Sequence, residues 1–217
     1  MPQLPNFEQE NKLWSQGYLV AGVDEVGRGA LAGPVVATAV ILPPGIDSPW
    51  LSLVRDSKLL SPTRREYLYK PLQQEAIAVG IGIIPSEIID SSSVLKATWL
   101  AMQTAVQNLP RSPDFLLVDG TAVPNLPIPQ QKIIRGDKIC LSIACASIIA
   151  KVTRDRIMAE LHQVYPQYGL ARHKGYGTKE HLTCLEHHGP SPIHRLSFAP
   201  VKELRKLANN NETKTTR

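Results

Sequence analysis

Two adjacent carboxylates directly follow an apolar run in this chain. Tyr18 to Ala21 leads into Gly22-Val23-Asp24-Glu25-Val26-Gly27-Arg28-Gly29. Charges at the end of an apolar strand are costly to bury unless a cation or hydrogen-bond donors receive them. The segment must therefore be a strand whose end opens onto a charged site. The glycine–arginine–glycine turn that follows exposes main-chain amides and one guanidinium, groups that grip phosphate or a hydroxyl. Acids able to hold a metal beside such a turn point to phosphodiester chemistry.

At 217 residues the chain can bury a substantial core in one compact domain. Its 43% hydrophobic and 20% charged residues are ordinary for a globular protein and argue against disorder. A net charge of +5 tilts it mildly toward polyanionic partners. The longest apolar stretches stop well short of a membrane span, and the polar, acidic residues 1–16 lack the apolar centre of a secretory signal. Cys140, Cys145 and Cys184 cannot form a complete disulfide framework and fit a reducing compartment. A cytoplasmic protein with no membrane contact is expected.

Hydrophobic patterning predicts strands at Leu19–Val23, Val35–Leu42, Ala76–Ile84, Phe115–Val118 and Lys132–Ile134. Short connections among the first three favour antiparallel neighbours. A helix is expected over Ser92–Leu109, with Val94, Leu95, Trp99, Leu100 and Val106 at helical spacing. A long helix over Leu141–Val164 should turn Ile143, Ala146, Ile149, Ala150 and Val152 inward, leaving Arg154, Asp155, Arg156 and Glu160 as its polar positions. Further helices are expected at Lys179–His188 and Pro200–Ala208. The pattern implies an α/β fold, a mixed sheet flanked by helices with a helical C-terminal portion. The expected division is a polar segment 1–16, a main region 17–208 and a frayed polar tail 209–217.

Four acids fall at or just beyond strand ends: Asp24, Glu25, Asp119 and Asp137. If the first and fourth strands are neighbours, Asp24 and Asp119 face each other across one edge. Carboxylates that close raise each other's pKa unless a cation neutralises them. Mg²⁺ or Mn²⁺, held by a few carboxylates with waters and phosphate oxygens, suits such a group. The competing view is that each acid is a turn former or a helix cap, and Asp137 in particular precedes a helix. The glycines at 27, 29 and 33 miss the dinucleotide-binding spacing, and no P-loop element occurs.

Val23-Asp24-Glu25-Val26-Gly27-Arg28-Gly29, with Leu31-Ala32-Gly33-Pro34-Val35-Val36, resembles the opening signature of the type 2 ribonuclease H family (ribonuclease HII). The similarity continues through Asp56-Ser57-Lys58, Val118-Asp119-Gly120, Gly136-Asp137, the run from Ala144 to Asp155, His173-Lys174-Gly175-Tyr176 and His194-Arg195-Leu196-Ser197-Phe198. It spans Leu19 to Lys202. Cys145 stands where alanine is common. The resemblance implies an RNase H-like five-stranded mixed sheet and an endonuclease. Such an enzyme cuts the RNA strand of RNA–DNA hybrids and nicks DNA duplexes 5′ of embedded ribonucleotides, leaving 3′-hydroxyl and 5′-phosphate ends. It maps the catalytic, metal-holding acids onto Asp24, Glu25, Asp119 and Asp137, with Mn²⁺ or Mg²⁺ as cofactor. The ribose-sensing turn maps onto Gly27, Arg28 and Gly29, and its partner onto Tyr176. The 2′-hydroxyl is the group that separates RNA from DNA at one sugar, and it both donates and accepts.

Lys58, Ser147 and Lys151, together with Arg154, Lys174 and Lys179, are candidates for contacts to the duplex backbone, and Ser147 and Lys151 share a helix face. His173, His187 and His194 are candidates for proton transfer or phosphate binding. His181, Cys184 and His188 have spacing that zinc could use, although helix packing suits them better. The expected protein is monomeric, with a sliding-clamp contact left open. Rival functions are a junction resolvase on a similar fold and a non-catalytic nucleic-acid binder. All four acids being present disfavours the binder.

Overall fold

The computed structural model describes residues 4–205. The expected tail 209–217 and the last three positions of the expected helix 200–208 lie outside the described residues; residues 199–205 are helical.

The apolar run builds the central strand, β1 (Val20–Val26), whose first five residues are buried. A strand covered on both faces shows no polar alternation. On one edge β2 (Val35–Ile41) pairs antiparallel with it, from Ala21 opposite Ile41 to Val26 opposite Val36. On the other edge β4 (Phe115–Asp119) runs parallel, with Val23 opposite Val118. Beyond β4 lies β5 (Gln130–Ile133), also parallel, and β3 (Ala78–Ile84) lies beside β2. The sheet order is β3-β2-β1-β4-β5, the mixed five-stranded sheet expected.

The first strand runs three residues past its expected end. Asp24 and Glu25 therefore lie within β1, opposite Thr38 and Ala37 of β2. Main-chain pairing with β2 extends the strand where side-chain pattern alone would stop it.

The described residues fall into two compact units. One takes the residues up to Val26 with Val36–Ile83 and Thr98–Thr153; the other takes Gly27–Val35, Ile84–Ala97 and the residues from Arg154 on. The first contains most of the sheet, α1 (Glu8–Trp14) and α2 (Pro62–Glu75). Its core packs Leu68 and Leu72 with Val40, Leu42, Ile148 and Ile149. Helix α1 was not predicted from the polar N-terminal sequence. Its Glu10 is wholly buried and accepts from the Ser142 main-chain N–H (2.8 Å) and hydroxyl (2.6 Å), capping the long helix α5 (Leu141–Val164).

Helix α4 (Val94–Gln107) lies where expected but buries a different face. Ala97, Ala101, Met102 and Ala105 are buried; of the expected positions Val106 is buried with them, whereas Leu95 and Leu100 are exposed. The cause is close approach to β3: a Cβ on Gly80 or Gly82 would strike the carbonyl oxygens of Ala105 and Ala101. Only small residues fit that seam, so alanine, not leucine, faces the sheet. Gly22 serves β1 in the same way, since a Cβ there would strike the main chain at Ser142.

The second unit is built round Met158, Tyr168, Leu170, Leu185 and Val201. It includes α3 (Ser86–Ser91), α6 (Leu170–His173) and α7 (Lys179–His188). Among the described residues, no helix is long and apolar enough to cross a membrane.

Candidate active site

In the first unit the parallel register of β1 and β4 puts Asp24 and Asp119 side by side, each one step beyond the Val23–Val118 pair. Asp24 is 3% exposed, and its Oδ1 accepts from the Glu25 N–H at 2.8 Å. Burial, then the charges of Glu25 and Asp119, push its carboxyl well above the usual carboxylate range, and a hydrogen bond from Ser147 offsets only part of this. Asp119 Oδ1 accepts from the Gly136 N–H at 2.6 Å. Its pKa is also raised, first by burial and then by Asp137.

Asp137 is buried in a single turn, Gly136–Lys138, ahead of α5. The helix starts at Leu141, so Asp137 does not cap it. Its Oδ2 lies 3.2 Å from Lys58 Nζ instead. Lys58 is held in turn by Asp56, whose Oδ1 accepts from the Lys58 N–H at 2.9 Å. Burial works against the Lys58 charge, but Asp137, Asp56 and Asp24 outweigh it and raise its pKa. Ser147 is turned inward and shares its hydroxyl with Ser57 at 2.8 Å. Lys151, one turn on, is half-buried.

Among the described residues, no three His, Cys, Asp or Glu side chains stand close enough to enclose an ion by themselves. The donors at this strand end are hard carboxylate oxygens whose pKa values are raised first by burial and then by neighbouring carboxylates. That chemistry fits Mg²⁺ or Mn²⁺, which take one or two carboxylates and complete their shell with water and substrate phosphate.

The glycine–arginine turn belongs to the second unit. Gly27 has φ +92°, and a Cβ there would overlap Arg154 Nε and Cδ. The position therefore requires glycine for both conformation and space. Arg28 and Gly29 are exposed, and a Cβ on Gly29 would meet nothing within 4 Å. Ala30 forms a bridge to Tyr176, and the Leu31 N–H donates to the Gly175 carbonyl at 2.8 Å. The turn and the Tyr176 loop are therefore neighbours within this unit.

Several polar residues expected to face solvent or substrate are turned inward. Arg154 is wholly buried, with its guanidinium on the carbonyls of Pro34 (2.9 Å), Lys174 (2.9 Å) and Ala32 (3.1 Å). It is therefore not a contact to the duplex backbone. His173 and His194 are not free for proton transfer. The Ser191 N–H donates to His194 Nδ1 at 3.0 Å. A neutral His194 thus carries its proton on Nε2 and donates to His181 Nε2 at 3.0 Å, and His181 Nδ1–H donates to the Tyr176 carbonyl at 3.0 Å. Burial, then the neighbouring His181, lowers the His194 pKa to about 4. His173 stacks on His181 with ring centroids 4.4 Å apart. These contacts engage His181 in packing and hydrogen bonds, and it is not grouped with Cys184 and His188 around a metal position.

A profile of the family described as Ribonuclease HII matches residues 21–201. The chain belongs to the ribonuclease HII family. It is accordingly an enzyme, a nuclease of the ribonuclease H type. The Ribonuclease HII of Dehalococcoides mccartyi is 53% identical over 201 residues, covering 92% of this chain and 95% of that one. Among solved structures, ribonuclease H2 from Pyrococcus horikoshii superposes with a TM-score of 0.73 at 26% identity, covering 86% of this chain and 97% of that one. The RNase HII of Archaeoglobus fulgidus, solved in complex with PCNA, gives 0.69 at 23% identity over 86% of this chain and 96% of that one. Bst-RNase HIII, solved in complex with Mn²⁺, gives 0.66 at 18% identity over 88% and 70%. The last two likenesses speak to the fold alone.

The buried residues Asp56, Glu10 and Arg195 make hydrogen bonds in this ribonuclease HII that no local sequence pattern assigns to them. Asp56 was discoverable, because Asp56-Ser57-Lys58 was already part of the resemblance. Glu10 gave no local signal, since its partner Ser142 is 132 positions away.

Proposed function

We propose that this enzyme hydrolyses the RNA strand of RNA–DNA hybrids and nicks DNA duplexes on the 5′ side of an embedded ribonucleotide. The observation that carries the reading is the side-by-side placement of Asp24 and Asp119 on parallel strands, with the Gly27-Arg28-Gly29 turn next in the chain. Asp24, Glu25 and Asp119 would hold Mn²⁺ or Mg²⁺, with Asp137 as the fourth acid. When bound, such an ion supplies Lewis acidity at the scissile phosphate and stabilises the leaving oxygen.

The chain's own residues do the rest. Ser147 holds the Asp24 carboxylate. Lys58, paired to Asp137 yet largely exposed, offers its ammonium to a backbone phosphate, and Lys151 lies one turn beyond Ser147. The exposed edge of the turn at Arg28 and Gly29, with Tyr176 beside it, presents donors and acceptors to the 2′-hydroxyl. Water oxygen bonds to phosphorus and gives up one proton, the bond from phosphorus to the 3′ oxygen breaks, and that oxygen takes up a proton in exchange. The products are a 3′-hydroxyl on the upstream strand and a 5′-phosphate on the ribonucleotide.

A monomer in the cytoplasm, where three free cysteines persist, completes the proposal. The clamp complex of the Archaeoglobus relative makes a sliding-clamp contact worth testing. The deciding experiment is cleavage of a labelled DNA duplex carrying one ribonucleotide, with ends mapped in Mg²⁺ and in Mn²⁺, beside an all-DNA four-way junction. Cutting of the junction alone would overturn the reading.

A further inference from the structure

Two arginines are wholly buried in the second unit, Arg154 and Arg195, and both point their donors at main-chain carbonyls. Arg195 Nη1 donates to the Arg28 carbonyl at 2.8 Å, while its Nε (3.1 Å) and Nη2 (2.9 Å) share the Gly33 carbonyl. Arg195 also lies over the Phe198 ring, 5.2 Å from its centroid. Arg154 holds the carbonyls of Ala32 and Pro34 on one side and of Lys174 on the other. Its guanidinium lies 5.3 Å from the Tyr176 ring centroid and fills the space a Gly27 side chain would need.

Burying two cations in one small core is expensive. Burial, then repulsion from Arg154, lowers the Arg195 pKa to about 9. Packing alone does not call for two guanidiniums here, because apolar side chains of similar volume would fill the space without that cost. What a planar fork with several donors does, and an apolar side chain cannot, is fix several carbonyls at set positions at once. The carbonyls fixed belong to residues 28–34 and 174, the two segments that present the turn and Tyr176.

We propose that Arg154 and Arg195 are positioning residues for ribose recognition, Arg195 holding the Gly27–Gly29 turn through the Arg28 carbonyl and Arg154 packing under Gly27 while it ties the Ala32–Pro34 segment to the Tyr176 loop, in the arrangement that meets a 2′-hydroxyl. This rests on the reading of the turn and Tyr176 given above. The residues touch no substrate themselves and act through the main chain they hold. A hydrogen bond to the sugar hydroxyl that loses its alignment loses most of its contribution, which corresponds to about tenfold in affinity.

The test uses Arg195→Lys and Arg154→Lys, which keep the charge and lose the fork. For each, KM is measured on a DNA duplex with one ribonucleotide, and the inhibition constant is measured for the same duplex made wholly of deoxyribonucleotides. KM should rise about tenfold in each variant while the inhibition constant stays within about twofold. A merely structural role would reduce the folded fraction, lowering apparent kcat and leaving both constants as they were. That result, or an equal rise in both, would overturn the proposal, and either variant alone is enough to decide it. If the parent protein itself binds the two duplexes equally, the reading of the turn as ribose-sensing fails, and the two failures are told apart.

Discussion

In the first unit, Asp24 and Asp119 are acids whose hydrogen bonds do not offset burial and the charge of neighbouring carboxylates, so their pKa values are driven up. In the second, Arg154 and Arg195 are cations buried at least as deeply, and burial likewise lowers their pKa values, yet each guanidinium nitrogen donates to a carbonyl. The acids form an electrostatically incomplete site that needs an added cation. The arginines form a closed frame whose partners all come from the chain. Buried charge of the first kind suits chemistry, because the missing partner can arrive with substrate. Buried charge of the second kind suits geometry, because it holds backbone in place.

The largest effect that could break this comparison is on the acids. Asp24→Asn or Asp119→Asn should lower cleavage of a single-ribonucleotide duplex by about 10²–10³-fold or more, with circular dichroism unchanged. A variant that nicks as fast as the parent would remove that acid from the site. Without divalent ions, Asp24→Asn should also unfold at higher urea than the parent, because a repelled carboxylate is gone. A lower midpoint would mean that the acid is already satisfied by its neighbours.

The second unit should show its character in acid. The His194 pKa is depressed from 6.5 to about 4, so the unfolded chain binds the extra proton first as pH falls. Its contribution to stability is complete above pH 6.5 and is lost as pH drops toward 4, by roughly 1–3 kcal/mol. Urea melts at pH 7 and pH 4.5 should show this loss in the parent and a smaller one in His194→Gln. Equal losses would mean that the imidazole relay bears no such strain.

Metal sharpens the contrast at similar size. Mn²⁺ at a hundredfold over its dissociation constant should stabilise the parent by about 2.7 kcal/mol, and should stabilise Asp24→Asn far less. Arg195→Lys should respond like the parent. A smaller change is expected for Lys58→Met: a modest rise in KM and a salt dependence of binding shallower by about one phosphate contact. An unchanged slope would show that Lys58 serves Asp137 and not the duplex.

Much of the architecture was legible locally. Apolar runs marked four of the strands, and the expected Lys132–Ile134 met the fifth, Gln130–Ile133, only at Lys132 and Ile133, while the bounds of Leu141–Val164 and Lys179–His188 are as expected from sequence. The placement of Asp24 beside Asp119 needed only that their strands be neighbours. Other features were not legible because their causes lie far off in the chain. Leu95 and Leu100 are exposed since glycines in β3 admit only alanine at the seam. Arg154 reads as a solvent-facing position on a helix, and nothing near it in sequence signals the three carbonyls that receive it.

The amino-acid order by itself determined the strands, the long helix and the set of acids, because these depend on side-chain pattern over a few residues. Tertiary structure alone decided where β1 ends, which acids lack compensation and which arginines disappear from solvent. Each of those outcomes depends on partners supplied by distant segments, and a buried charge is stable or costly only according to what the fold brings to meet it.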